Sequence, residues 1–314
     1  MQKIKKIGLL FGLENSFPQA VIENINNRGL MDIIAESMLV DEVIQGEDNN
    51  YSVIIDRISH EIPFYRSYLK NAIMSGTTVI NNPFWWSADD KFFNNAVATK
   101  LGIPVPKTIL LPAKQQNFNT ISASYKNLKF PMDWEKCFSH IGFPAYLKPY
   151  NGGGWRNVFK IKDENDFFEK YNNSGTEVMM LQEEIIYEDY FRCYCIGRKE
   201  VKIMEYEPQN PYHLRYINSN EPISFDLKQT LINYTLALNN ELGYDFNSVE
   251  YAIRNGIAYA IDFFNPVPDA DLLNVGLNNF NWVVEKISDF AIKKAQNESI
   301  NFNNITWGNF VRGR

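Results

Sequence analysis

The sequence predicts an α/β domain followed by a larger α+β region. Near the N-terminus, short β-branched segments alternate with helical segments, which is typical of a parallel sheet. From residue 143 onward, strand segments follow one another through tight turns, which is typical of antiparallel sheets. The chain has 314 residues, more than the roughly 250 to 300 at which single cores stop growing. We therefore expect three domains, at residues 1–82, 83–185 and 186–314.

The N-terminal α/β domain is predicted from three strand segments and two helical ones. Proline near the start and glycine just past the end are typical helix boundaries, and Pro63 and Gly76 bracket the second helix in this way. The sequence Asn81-Asn82-Pro83 interrupts the alternation and marks the first domain boundary. The predicted strands are 4–11, 51–55 and 77–80, and the predicted helices are 17–28 and 63–74.

A helix and a long polar connection are predicted in the central segment. Ser87 with Asp90 three residues later has the spacing of a capping box, and Gly102 follows the last helical position, so we expect a helix over 88–101. A strand is predicted at 107–111. Residues 112–132 show no periodicity, and connections of that length are often lids or binding loops, although many are disordered.

The remaining elements alternate quickly and are separated by glycine turns. Gly197-Arg198 and Asn255-Gly256 each separate two strand segments, and Asn-Gly is the strongest short hairpin signal. Leucines at helical spacing predict a long helix that ends at Gly243. The predicted strands are 145–149, 155–161, 177–182, 191–196, 200–206, 248–254 and 257–264, and the predicted helices are 163–171, 225–242 and 279–295.

The composition indicates a folded protein and argues against two classes of partner. With 45% hydrophobic residues the chain can bury a core, and its net charge of -6 leaves no basic surplus for a nucleic-acid backbone. No apolar run approaches the roughly 18 residues of a membrane span. The N-terminal lysines are not followed by the apolar segment and cleavage site of a signal peptide. We expect a soluble, cytoplasmic protein with no nucleic-acid or membrane partner.

The cysteines and histidines form no pattern typical of a metal or hydrolase site. Cys137 stands alone, and Cys193 and Cys195 alternate in a strand segment without zinc-type spacing, so we expect buried free thiols. The three histidines are scattered, and neither His-x-x-x-His nor Gly-x-Ser-x-Gly occurs. Zinc hydrolase and serine hydrolase functions therefore have no support.

A lysine and a glycine run form the first candidate anion site. Lys148 lies near the end of a strand segment and is followed by Gly152-Gly153-Gly154. Three glycines let a tight turn bring backbone N–H groups close to a phosphate. Taken alone, such a run is more often an ordinary hairpin turn, and no Gly-Lys-Ser/Thr follows, so it is not a Walker A loop.

Oxygen-bearing side chains near the last hairpin form a candidate magnesium site. Glu250 lies on one strand segment, and Asp262 and Asn265 lie at the end of the next. Carboxylates on paired strands can converge on one ion, and Mg²⁺ takes oxygen ligands together with phosphates. The alternative is that these acids are solvated at strand ends. Asp262 follows an apolar run, where a carboxylate must be exposed, paired or metal-bound, and this favours a function.

Six segments follow one another in a fixed order between residues 77 and 275. They are Asp90-Lys91, 102–108, 143–149 with the glycines behind it, 180–185, 192–197, and Glu250 with 262–265. In this order they resemble the ATP-grasp superfamily, and within it the branch of RimK-type glutamate ligases, D-alanine–D-alanine ligase and glutathione synthetases. The resemblance implies an α/β N-terminal domain followed by an α+β ATP-grasp fold, whose two subdomains clasp ATP.

The resemblance also implies roles for individual residues. Two lysines reach the ATP phosphates, the glycine loop closes over them and carries an arginine along, and a segment after strand 177–182 holds adenine through the backbone of Glu183 and Ile185. A ribose-binding acid is expected near Tyr190, and Glu188 and Asp189 both stay open. The implied ATP-binding residues are Lys91, Lys148, Gly152, Gly153, Gly154, Trp155, Gln182, Glu183, Glu184, Ile185 and Asp189, the catalytic residues are Lys148, Arg156 and Arg192, and the metal ligands are Glu250, Asp262 and Asn265.

One departure from the family pattern concerns the metal ligands. The acid and the asparagine of the usual motif are two positions apart, whereas Asp262 and Asn265 are three apart. Either a bulge intervenes or Asp262 is displaced from the metal.

The implied activity is that of an ATP-dependent carboxylate–amine ligase, with ATP and Mg²⁺ as cofactors, which forms an amide through an acyl phosphate and releases ADP and phosphate. ATP and an acid substrate bring about five negative charges together, so neutralising and aligning them is most of the catalysis. Two alternatives stay open: a kinase with a hydroxyl acceptor, and a nucleotide-binding module without turnover.

The acid and the amine, whether small molecules or peptides, are not readable from the chain. A homodimer is allowed by the sequence but not required. Four arginines are candidates for gripping a substrate carboxylate through bidentate pairs: Arg57, Arg66, Arg156 and Arg215.

Overall fold

The computed structural model describes residues 4–84, 90–152, 156–217 and 222–296. Contacts divide the chain into two compact units. Unit 1 comprises Met1–Ala88, Asp189–Tyr251 and Asp262–Arg314, and unit 2 comprises Asp89–Glu188 and Ala252–Ile261. The three consecutive domains remain a prediction. Unit 1 contains the first predicted domain, residues 1–82, together with most of the third, residues 186–314.

The described residues form strands and helices, with two short 3₁₀ turns at Ser122–Tyr125 and Tyr212–Leu214. The strands are β1 (Lys5–Leu10), β2 (Ile33–Ser37), β3 (Tyr51–Asp56), β4 (Thr78–Ile80), β5 (Thr108–Leu111), β6 (Ala145–Pro149), β7 (Phe159–Ile161), β8 (Met179–Glu183), β9 (Asp189–Ile196), β10 (Glu200–Tyr206), β11 (Tyr216–Ile217), β12 (Phe246–Arg254) and β13 (Ile257–Asp262). The helices are α1 (Phe17–Asn26), α2 (Pro63–Met74), α3 (Lys91–Lys100), α4 (Trp134–Ile141), α5 (Glu164–Asn172), α6 (Phe225–Leu242), α7 (Leu272–Val275) and α8 (Leu277–Gln296).

The first sheet of unit 1 is parallel, in the order β2-β1-β3-β4. This confirms the parallel sheet expected from alternating strands and helices. β2 was not predicted, because its sequence Ile-Ile-Ala-Glu-Ser has neither a long apolar run nor strict alternation.

A second sheet has the order β11-β10-β9-β12-β13. β9 pairs antiparallel with β10, as the Gly197-Arg198 signal predicted. β10 also pairs antiparallel with β11, a strand of two residues that was not predicted. Helix α8 contacts α1, β1, β3 and β9, and its buried Val283 and Ile287 share one core with Leu9, Phe17 and Phe246. The N-terminal and C-terminal segments therefore belong to one unit because α8 packs on both.

Unit 2 contains an antiparallel sheet in the order β5-β8-β6-β7. One face of this sheet, including Leu147, packs on an aromatic cluster with Trp134, Phe138 and Phe167. Trp134 and Phe138 lie on α4, which was not predicted because it has only eight residues and follows the aperiodic stretch 112–132.

Two predicted boundaries differ from the structure. Helix α3 begins after Asp90, whose side chain accepts hydrogen bonds from the N–H groups of Phe92 and Phe93. The predicted N-cap was Ser87, which lies outside the described residues, so the prediction placed the helix start too early. The strand predicted over 155–161 is observed only as Phe159–Ile161, and residue 155 lies outside the described residues.

Turns end the elements where the local signals predicted. Gly243 caps α6 in the left-handed conformation, with φ 77°. Between β12 and β13, Asn255 and Gly256 have φ values of 54° and 73°. Positive φ at both positions is what a two-residue type I′ turn requires, so the predicted Asn-Gly hairpin is confirmed.

No helix in the part of the chain that the structure describes is long and apolar enough to cross a membrane.

A single amide, that of Asn81, links four backbone groups inside unit 1. Its Nδ2 donates to the carbonyls of Phe246 at 2.6 Å and Pro266 at 2.8 Å. Its Oδ1 accepts from the N–H groups of Asp245 at 2.8 Å and Phe246 at 2.7 Å. The segment from 81 to 83, predicted as a domain boundary, thus ties the end of β4 to the start of β12 and to the loop after β13.

We expect Asn81→Ala to lower the free energy of unfolding by about 3 to 5 kcal/mol, because four buried backbone groups lose their partner at once. Urea denaturation followed by circular dichroism measures this. Asn82→Ala is the matched control, since Asn82 makes a local contact with the N–H of Phe84 at 3.0 Å and should cost about 1 kcal/mol or less. Equal losses for both variants would contradict the assigned role of Asn81.

The cysteines differ in burial. Cys193 and Cys195 on β9 are buried, as predicted, and burial raises the pKa of each thiol to about 12. Cys137 was predicted to be buried as well but is partly exposed.

We expect a thiol reagent at pH 8 to modify Cys137 alone in the native protein and all three cysteines after denaturation. The thiolate is the reactive form, and a raised pKa keeps Cys193 and Cys195 protonated until the pH approaches 12. Mass spectrometry of the labelled peptides identifies the modified positions. Labelling of Cys193 in the native protein would refute this expectation.

Candidate active site

The buried guanidinium of Arg192 lies among the predicted site residues of unit 1. Arg192, on β9, is 6% exposed. Its Nε and Nη2 each lie 3.1 Å from Ser248 Oγ, and its guanidinium carbon lies 5.2 Å from the ring centroid of Tyr206. A buried charge needs a counter-charge nearby, and the Oε1 atom of Glu250 lies 3.7 Å from Nε.

Glu250 lies between a guanidinium and a phenol. It is two positions after Ser248 on β12, so both side chains occupy the same face of the sheet. Its Oε2 accepts a hydrogen bond of 2.8 Å from the Tyr190 hydroxyl. The predicted residue is therefore held in place from two sides.

Asn265 follows β13 and joins the same group. Its backbone N–H donates to Asn247 Oδ1 at 2.8 Å. In the amide orientation that gives both side-chain atoms a partner, Oδ1 accepts from Arg192 Nη2 at 2.8 Å and from Ser248 Oγ at 3.2 Å, and Nδ2 donates to Val267 O at 3.2 Å. The structure thus brings Arg192, Glu250 and Asn265 together.

Asp262, the last residue of β13, is half-buried. Burial raises the pKa of the Tyr190 hydroxyl well above its usual value, and the charges of Glu250 and Asp262 raise it further. Both carboxylates therefore lie within electrostatic range of one phenol, on the same side of unit 1.

The two predicted phosphate-binding lysines are neighbours within unit 2. Lys148 on β6 alternates with Leu147, which is fully buried in the aromatic core, so Lys148 points to the opposite face of the sheet. Lys91 is the first residue of α3, and its N–H donates to Tyr150 O at 2.9 Å. The start of α3 therefore lies against the end of the strand that carries Lys148.

The glycine loop is described only at its edges. Gly152 has φ 87°, a value that favours glycine. Gly153, Gly154 and Trp155 lie outside the described residues, and Arg156 is exposed. The lid role of this loop stays a prediction.

The predicted adenine segment lies at the end of β8 and after it. The buried Gln182 donates from Nε2 to Thr108 Oγ1 at 2.9 Å, and the Glu184 carboxylate accepts from Lys160 Nζ at 2.7 Å. The N–H of Glu183 donates to Lys107 O at 2.9 Å, so that group is taken by the sheet rather than offered to a base. Ile185 is buried.

The two acids considered for ribose differ in their contacts. Glu188, in unit 2, accepts from the N–H of Asn255 at 3.2 Å and so supports the β12–β13 turn. Asp189, in unit 1, is exposed at the start of β9.

The chain resembles a ligase in sequence and solved ligases in structure. No family model matches it. The glutamate–LysW ligase ArgX of Sulfolobus acidocaldarius is 24% identical over 231 residues, which cover 70% of this chain and 74% of that protein. D-alanine–D-alanine ligase from Bacillus anthracis, complexed with ATP, superposes with a TM-score of 0.65 at 17% identity, over 93% of this chain and 97% of that one. A RimK domain ATP-grasp protein from Sphaerobacter thermophilus has a TM-score of 0.63 at 16% identity, over 91% and 99%. The chain has the ATP-grasp fold.

This confirms the fold class predicted from the ordered motifs. The ATP-grasp fold implies Mg²⁺, and the donor types in unit 1 fit that ion, since Glu250, Asp262 and Asn265 offer two carboxylates and an amide oxygen. Among the described residues, however, no three His, Cys, Asp or Glu side chains are grouped so as to hold a metal by themselves. Phosphate oxygens and water would complete the coordination.

The four arginines proposed to grip a carboxylate differ in their surroundings. Arg57 is 2% exposed, makes a two-point contact with Glu14, and donates from Nη2 to Pro268 O at 2.7 Å. Arg215 donates to Asn210 O at 3.1 Å and lies over Tyr212. Arg66 is half-buried and Arg156 is exposed. Arg57 is thus largely committed to Glu14.

Two side chains that contact this group of residues were missed at the sequence level. Ser248 precedes Glu250 by two positions, and Tyr190 precedes Arg192 by two. Since side chains two apart on a strand share a face, the strand period was the signal that pointed to both.

Proposed function

We propose that the chain is an ATP-dependent, ADP-forming carboxylate–amine ligase. The observation that carries the proposal is the group formed by Arg192, Glu250 and Asn265 on paired strands of an ATP-grasp fold. A buried positive charge beside oxygen donors suits a site where a carboxylate must approach a triphosphate. The ligase names of the sequence relative and of the structural neighbours support it.

The proposed reaction has two steps. A carboxylate oxygen of the acid attacks the γ-phosphorus, the bond to ADP breaks, and an acyl phosphate forms. The amine nitrogen then attacks the acyl carbon, phosphate leaves, and the amine gives up a proton, so that an amide remains. Both steps gather negative charge, and charge neutralisation with alignment supplies most of the rate.

In this proposal each predicted site residue has a role. Lys91 and Lys148 bind phosphate oxygens, and Gln182 to Ile185 line the adenine. Arg192 stabilises charge on the transferred phosphoryl group, while Glu250, Asp262 and Asn265 would hold Mg²⁺, which supplies further neutralisation of the phosphates. The acceptors are small-molecule or peptide carboxylates and amines, and a cytoplasmic location is part of the proposal.

One observation favours a second candidate, a nucleotide-binding module without turnover. In the orientation that satisfies both amide atoms, Asn265 Oδ1 already accepts from Arg192 and Ser248, so its lone pairs are engaged within the protein. A metal ligand would have to release at least one of these contacts.

A screen of amino acids, dipeptides and polyamines for ATP-dependent phosphate release tests the proposal, with mass spectrometry of the products. A ligase releases phosphate and yields a product that lacks one water relative to its two substrates. A kinase forms ADP but leaves the phosphate on the product. ATP binding with no ADP formed under any acceptor pair would favour the module without turnover.

A further inference from the structure

The phenol of Tyr190 is buried directly beside the Glu250 carboxylate. Tyr190 is 8% exposed and its ring packs on Tyr206, with centroids 6.0 Å apart. Its hydroxyl donates to Glu250 Oε2 at 2.8 Å. A hydrogen bond to a charged acceptor in a buried place is among the stronger ones in proteins.

The same carboxylate has a competing donor. Glu250 Oε1 lies 3.7 Å from Arg192 Nε, too far for a hydrogen bond. A guanidinium and a carboxylate prefer a two-point contact at about 2.8 Å. Arg192 instead directs Nε and Nη2 at Ser248 Oγ. Arg192 Nε is therefore turned toward Ser248 rather than toward Glu250, and the Tyr190 hydroxyl is a contact that holds Glu250 Oε2 in place.

Holding the carboxylate in this way matters for a cation. A carboxylate in a two-point pair with arginine directs its lone pairs at the N–H groups. When the Tyr190 hydroxyl holds Oε2 instead, that contact sets the direction in which Oε1 points.

We infer that Tyr190 is a positioning residue that orients the Glu250 carboxylate toward a divalent cation and prevents its capture by Arg192. The inference rests on the proposed function, in which Glu250 is a metal ligand. Contacts that orient a metal ligand typically change metal affinity 10- to 100-fold when they are removed.

The test is a titration of the full chain with Mn²⁺, followed by electron paramagnetic resonance, in the presence of a non-hydrolysable ATP analogue. Tyr190→Phe keeps the ring and its packing but removes the donor, and we expect its Mn²⁺ affinity to be lower by about 10- to 100-fold. Affinity for the analogue without metal should change by less than about twofold. If the hydrogen bond were merely structural, Tyr190→Phe would change the Mn²⁺ affinity and the affinity for the analogue alike.

Tyr251→Phe is the matched control. Tyr251 follows Glu250 on β12 but lies on the other face, where its hydroxyl is 3.0 Å from Thr235 Oγ1. It loses an equally buried phenol contact, yet we expect Mn²⁺ affinity within about twofold of the wild type. An equal loss in both phenylalanine variants would overturn the inference.

A double-mutant cycle separates positioning from general loosening of the fold. If Tyr190 acts through Glu250, Tyr190→Phe has no further effect on Mn²⁺ affinity in a Glu250→Ala background, where residue 250 has no side-chain acceptor left. Additive losses would overturn the inference. It would also be overturned if the wild type binds Mn²⁺ and Tyr190→Phe binds it with the same affinity. A wild type that binds the analogue but no Mn²⁺ would remove the metal assignment of the proposed function and this inference with it.

Discussion

Replacing Lys148 by alanine should reduce ATP turnover by on the order of 10²- to 10³-fold. The lysine is the penultimate residue of β6, four positions before Gly152. A fixed positive charge at a triphosphate is worth that much when it acts in the transition state. Its side chain lies on the face of β6 opposite the buried Leu147, so the free energy of unfolding should change by about 1 kcal/mol or less.

Phosphate release with the substrates found in the screen measures the effect, and urea denaturation checks the fold. Lys170→Ala is the matched control in the same unit, since Lys170 makes a surface ion pair with Glu169 at 2.6 Å and should leave turnover unchanged. A crystal structure with nucleotide in which Lys148 points to bulk solvent would refute the assignment, as would full activity of Lys148→Ala.

Glu250→Gln should abolish the normal magnesium dependence of turnover and lower the rate by about 10²-fold or more. Glutamine keeps the size of the side chain and can still accept from Tyr190, but it removes the charge that attracts a divalent cation. A titration of phosphate release with Mg²⁺ separates weaker metal binding, seen as a higher half-saturating concentration, from a lower maximal rate.

Glu200→Gln provides the comparison. Glu200 lies at the start of β10, where its carboxylate is 3.6 Å from Lys286, and the variant should show wild-type magnesium dependence. If Glu250→Gln shared that wild-type dependence, Glu250 would not be a metal ligand.

Local sequence signals were sufficient to predict the boundaries of several elements without a structure. Helix α2 begins at Pro63 and ends at Met74 as predicted, and α6 ends at Leu242 before Gly243, because proline and glycine restrict or permit backbone angles within one or two residues. The β12–β13 turn was readable for the same reason. These signals depend only on neighbours in sequence.

The ordered motifs also led to the ATP-grasp fold and to the pairing of Glu250 with Asn265. The predicted start of α3 failed because two residues, Ser87 and Asp90, each have the chemistry of an N-cap. In the structure Asp90 is the N-cap, because its side chain accepts from the N–H groups of Phe92 and Phe93.

Contacts between residues far apart in the chain were decided only by the tertiary structure. Asn81 bonds Phe246 across 165 positions, and Arg192 bonds Ser248 across 56. No local preference predicts such pairs, because strand order and the placement of α8 decide which segments meet. The sequence by itself indicated most of the longer helices, the two glycine hairpin turns and the chemistry of the candidate ligands. The burial of Arg192 and the phenol that holds Glu250 depend on strands meeting in one sheet, since charge and hydrogen bonding act over a few ångströms of space and not along the chain.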